Sequence, residues 1–148
     1  MLIFLSSTNN LPDPHRAARV LHFGLTSALT VISMVFLILG VMDVGPIIRG
    51  DDGVAIIGSV IAGISLIPLM VSMLILRPRV PTRASGQSDK EFWQGAIGSA
   101  MLVWTLAEAG GMMSLVGALI SGHWAPIVVV VAALACMALV RPSYFENA

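Results

Sequence analysis

The sequence predicts an all-α integral membrane protein: a four-helix bundle made of two transmembrane hairpins, with both termini cytoplasmic. Three observations carry this. Hydrophobic residues make up 57% of the 148-residue chain and charged residues only 11%, with a mean hydropathy of +0.92, outside the usage of water-soluble domains. The apolar residues are gathered into stretches at about 17–42, 53–76, 96–120 and 124–140. The segments between and around these stretches hold the charge, and all basic residues except Arg49 fall on one side of the implied topology.

Each element has its own justification. A helix rises about 1.5 Å per residue, so about 20 residues cross a hydrocarbon core of about 30 Å. The first three stretches are ample, and the fourth is at the lower limit, lengthened by an interfacial Trp124. Helix one is expected to start at Asp13-Pro14, with Asp13 as N-cap and Pro14 at the first position, where a missing amide costs nothing. The residues before it do not read as a secretory signal: Met1 to Leu5 is too short an apolar run, and no basic segment precedes it.

Helix two contains Pro68, which removes an internal hydrogen bond and predicts a kink. It also carries Gly58, Ala62, Ser65 and Ser72 at helical spacing, and helix three carries Gly110, Ser114, Gly117 and Ser121. Lipid tails are as apolar as Leu, so helices associate in a membrane through close backbone approach and interhelical hydrogen bonds. Both rows therefore read as packing stripes. Between these helices, 77–92 is polar and Pro-containing and reads as a cytoplasmic loop. Phe92, Trp93, Trp124, Tyr144 and Phe145 stand at helix ends, as amphipathic rings do at headgroup level. The chain reads as one membrane domain over 1–148. Leu76-Arg77-Pro78 and Val140-Arg141-Pro142 echo one another, which is compatible with a tandem duplication and equally with common helix stops.

Arg16, Arg19, Arg77, Arg79, Arg83, Lys90 and Arg141 lie on one side, and Arg49 lies on the other with Asp43, Asp51 and Asp52. The positive-inside rule then places both termini in the cytoplasm of a multi-pass protein, read as one of the bacterial inner membrane. Cys136 is the single cysteine and has no internal disulfide partner.

The residue most suggestive of chemistry is Glu108, the one carboxylate inside an apolar stretch. A charged group at the bilayer centre costs roughly 2.5–3.5 kcal/mol on insertion scales, so an intramembrane acid is a functional candidate by default. Trp104 lies four residues earlier on the same helical face and Gly111 three later. Trp104 is the expected donor to a neutral, hydrogen-bonded Glu108. On helix one, His22, Thr26, Thr30 and Ser33 form a polar stripe. Helices one and three run the same way, which sets Thr30 at about the depth of Glu108 and His22 about 12 Å nearer the cytoplasm. The stripe reads either as a proton route or ligand site with Glu108, or as interhelical hydrogen bonds that fix register, with the structural reading favoured.

Other chemistry is not indicated. No cofactor is predicted, and His22 is the residue through which a haem or pigment would be ligated. The acids of the 43–52 loop match no calcium pattern and no metal site is expected. Phosphate-loop, dinucleotide, nucleophile-elbow, HExxH and CxxC motifs are absent, so no catalytic residue is assigned. A formal net charge of +0 gives no case for nucleic acid.

The run Leu106-Ala-Glu-Ala-Gly-Gly-Met-Met-Ser-Leu-Val-Gly-Ala-Leu-Ile120 resembles the acid-bearing helix of ATP synthase rotor c subunits. It is also similar to small, uncharacterised bacterial four-helix membrane proteins with an Ala-x-x-Glu-Ala helix. The rotor resemblance implies that Glu108 binds a proton. Rotor hairpins carry the acid on their second helix, whereas Glu108 is on the first of its pair, so ring membership is not carried over. The expected function is a small noncatalytic accessory or structural subunit of a larger membrane complex. Its partners would be the lipid bilayer and either other membrane subunits or further copies of itself. The alternative is a proton- or ion-handling protein centred on Glu108.

Overall fold

The computed structural model describes residues 13–41 and 52–147, and among these the regular structure is entirely helical. Helix α1 spans Pro14–Val41, α2 Asp52–Met70, α3 Asp89–Ser121, α4 Trp124–Leu139 and α5 Pro142–Glu146. Three helical segments, Pro14–Leu39, Gly53–Arg79 and Asp89–Ser121, are long and apolar enough to cross a membrane. Helix α4 has 16 residues, about 24 Å, and falls short of that length. The acidic 43–51 loop lies outside the described residues.

Helix α3 is the organiser. It packs against α1, α2 and α4, and α4 touches α1 and α2 in turn. Helices α1 and α2 barely meet, so the first pair of helices is not a packed hairpin among the described residues. The reason is visible in the side chains. The α2 row of Gly58, Ser65 and Leu69 faces the α3 row of Gly110, Gly117 and Ser121 at a separation no larger residue allows. A Cβ on Gly110 would stand 2.8 Å from the Ser65 carbonyl, and one on Gly58 2.7 Å from the Ser121 hydroxyl. A Cβ on Gly117 would run into Ile61. Ala62, Ser65 and Ser114 are buried in this region.

Helices α2 and α4 run antiparallel to α3, and α1 runs parallel to it. Ser72 Oγ donates to the Val103 carbonyl at 2.7 Å and Ser114 Oγ to the Pro126 carbonyl at 2.7 Å. On the third side, His22 meets Trp104 with ring centroids 5.2 Å apart, and Leu29 fills the space beside Gly111. The start of α1, the end of α2, the start of α3 and the end of α4 therefore share one end of the bundle. Among the described residues, the basic ones lie at that end.

Several boundaries differ from expectation for local reasons. Helix α1 starts at Pro14, as Asp13-Pro14 predicts and three residues before its apolar stretch, with Asp13 Oδ1 accepting from the His15 amide at 3.2 Å. The expected loop 77–92 is shorter, because α3 begins at Asp89 on a capping box: Ser88 Oγ accepts from the Glu91 amide, and Glu91 Oε2 from the Ser88 amide. Phe92 and Trp93 thus lie inside α3 and are buried in the core rather than spread at a headgroup surface. Past Pro68, α2 widens into a π-helical segment Val71–Leu76 and tightens into a 3-10 turn Arg77–Arg79. Pro68 leaves the Ile64 carbonyl, four residues earlier, without its helical N–H donor, a local defect upstream of this change of pitch. Helix α5 was not expected: Pro142 starts it, and it folds Phe145 back onto Trp104 at 6.3 Å between ring centroids.

Candidate functional site

Glu108 is half-buried on the α3 face that also carries Trp104 and Gly111, the two residues on which α1 rests. Its expected donor is committed elsewhere. Trp104 Nε1 donates to the Val140 carbonyl at 2.7 Å, wholly inside the protein. The cause is the end of α4, whose last carbonyls have no helical partner and whose last turn holds no basic residue. The same need fixes His22, whose Nε2 lies 2.9 Å from the Met137 carbonyl. A carbonyl only accepts, so Nε2 carries a proton and donates it. That nitrogen is thereby occupied, and a metal could reach only Nδ1.

The polar stripe of α1 does not converge on Glu108. Thr30 is exposed and donates to the Thr26 carbonyl at 2.7 Å, and Ser33 donates to the Leu29 carbonyl at 2.6 Å. The pairs His22 with Trp104 and Leu29 with Gly111 share one offset, so Thr26 is the α1 residue level with Glu108. Thr30 lies a turn, about 6 Å, further along, and His22 only about 6 Å before it rather than about 12 Å. The Thr26 hydroxyl is enclosed without a hydrogen-bond partner. Among the described residues no hydrogen bond reaches the Glu108 carboxyl. Polar atoms in an apolar medium cost free energy unless paired, so the level of Thr26 and Glu108 is a place where the fold leaves polar demand unmet.

A second polar cluster lies at the basic end. Glu146 accepts from Trp93 Nε1 at 3.1 Å and has Arg19 at 3.6 Å. His15 Nε2 stands 3.1 Å from the same carboxylate but off hydrogen-bond alignment, so it contributes by charge when protonated. Arg77 lies over the Tyr144 ring at 4.7 Å and also donates to its hydroxyl. Sequence reasoning missed this cluster. The available signals were the Ser-x-x-Glu start of α3 and the Arg-Pro start of α5, each read as a loop or a stop.

Among the described residues no group of three or more metal-ligating side chains assembles. No family model, curated protein or solved structure matches the chain. The Ala-x-x-Glu-Ala pattern is not complete in this chain, since Thr105 stands where its first Ala would fall.

Proposed function

We propose that this chain is a noncatalytic accessory subunit of a larger assembly in a bacterial cytoplasmic membrane, meeting its partners through its membrane helices. The observation that carries the reading is the carboxyl of Glu108, which no hydrogen bond reaches among the described residues: Trp104, His22 and Thr30 are committed within the fold, and the Thr26 hydroxyl, level with it, makes no hydrogen bond to it. A polar group left open at that depth is best satisfied by something outside the chain. The shared basic end of α1, α3 and α4 supports four crossings with both termini cytoplasmic. Trp124, exposed at the start of α4, supports an interfacial extension of that short helix. Purification in mild detergent tests the reading: stoichiometric partner subunits are expected, and a protein that runs alone would overturn it.

The same free carboxyl favours one second reading, proton or ion handling at Glu108. Reconstituted vesicles distinguish the two. Glu108→Gln should abolish a flux if the second reading holds, and a flux equal to that of the unaltered protein would reject it.

A further inference from the structure

Resting on the accessory-subunit reading, we infer that the α3 stripe of Met101, Thr105, Glu108 and Met112 is the docking face for a membrane helix of a different protein, which presents a Lys or Arg at the depth of Glu108. These four residues recur at helical spacing on one face of α3, with Met101 and Thr105 exposed and Glu108 and Met112 half-buried. Lipid tails offer no hydrogen-bond donor, so lipid alone leaves the carboxyl unsatisfied. Among the described residues no donor near this level meets it, the unpartnered Thr26 hydroxyl included. Trp104 and His22 serve carbonyls of the α4 end, Thr105 donates to the Met101 carbonyl at 2.8 Å, and Thr30 donates within α1.

The chemistry of the occupant follows from charge complementarity. Ionisable groups within membranes pair with one another, and an acid calls for a base. Among the described residues a second copy of this chain offers no base at that level. Arg16, Arg19, Arg77, Arg79, Arg83, Lys90 and Arg141 lie within the first two turns of a helix or beyond a helix end, and none is level with Glu108. On this ground the base is assigned to another protein. The two methionines flanking Glu108 suit such a contact, because unbranched thioether side chains mould to an incoming helix.

The test uses the full tagged chain in native membranes, with a photoreactive residue at position 105 and, as a control on another face, at Val131, which is exposed on α4. A cross-link from 105 and not from 131 to one stoichiometric partner is expected, at a partner helix that bears a Lys or Arg near the linked residue. Glu108→Lys should lower partner recovery at least tenfold, and changing the partner's basic residue to Glu should restore it. Glu108→Gln, nearly isosteric, covers the case in which the Lys variant does not fold, and should also lower recovery. A wild-type protein that brings down no partner overturns the accessory reading and this inference together. Equal partner recovery by wild type, Glu108→Gln and a folded Glu108→Lys overturns the docking face while leaving the accessory reading standing. So does a partner helix without a base at the linked depth, or linkage from 105 only to further copies of this chain.

Discussion

At the basic end of the bundle, the ring N–H groups of Trp93, Trp104 and His22 each finish on an acceptor, whether Glu146, the Val140 carbonyl or the Met137 carbonyl. One turn beyond Trp104 on the same helix face, the carboxyl of Glu108 finishes on nothing within the described chain. The two regions share a helix, so secondary structure does not explain the contrast. Polar groups at the basic end close the fold by capping α4 and tying down α5. Glu108 has no such duty, which makes it the better candidate for a role outside the fold.

The contrast can be broken from the structural side first. Trp104→Ala removes a buried ring and strands the Val140 carbonyl, and should lower stability by about 3–5 kcal/mol; thermal unfolding in detergent followed by circular dichroism measures it. Gly110→Ala drives a methyl against the Ser65 carbonyl and should cost about 1–3 kcal/mol. In the same assay Gly98→Ala, whose Cβ meets nothing within 4 Å, should be neutral or slightly stabilising. A cost at Gly98 as large as at Gly110 would show that helix approach is not what the small residues serve.

Ser88→Ala should cost about 1 kcal/mol through the lost cap, seen as faster hydrogen exchange confined to the first turn of α3. The apolar stretch of this helix of 33 residues begins at about residue 96, so its charged first turn, with Asp89, Lys90 and Glu91, precedes that stretch. There the hydrogen bonds from Ser88 hold the Glu91 carboxyl below the usual carboxylate range. A depressed folded pKa gives a contribution that is complete above the unfolded value and is lost as pH falls through the folded one. Protection of that turn, measured as exchange relative to the intrinsic rate at each pH, should therefore be unchanged from neutral to mildly acidic pH and fall only in stronger acid.

Smallest of all should be the effect of Glu108→Gln on the isolated protein, within about 0.5 kcal/mol. The same substitution should still weaken partner recovery. A large loss of intrinsic stability would instead return Glu108 to the class of fold-closing groups, alongside Trp104.

Much of the fold was legible because its signals are local. Apolar length marks the helices, Asp13-Pro14 marks a start, and the rows through Gly58 and Gly110 mark surfaces of close approach. The candidate site was legible only as a residue, not as a set of partners. Trp104 has the spacing to serve Glu108, yet an orphan carbonyl at the end of α4 lies within its reach and takes its N–H. The Thr30 level failed for a related reason, since depth on parallel helices depends on register, and register is set by His22 on Trp104 and Leu29 on Gly111.

By itself the sequence determined that this chain is helical, apolar and charge-sorted, because helix length, hydropathy and basic residues are properties of contiguous segments. Tertiary structure decided that α3 is the hub, that α1 and α2 stay apart, that α5 returns to the core, and that Glu108 is left open. Those outcomes depend on which distant backbone carbonyls lack partners and which side chains reach them first, and no local run of residues carries that information.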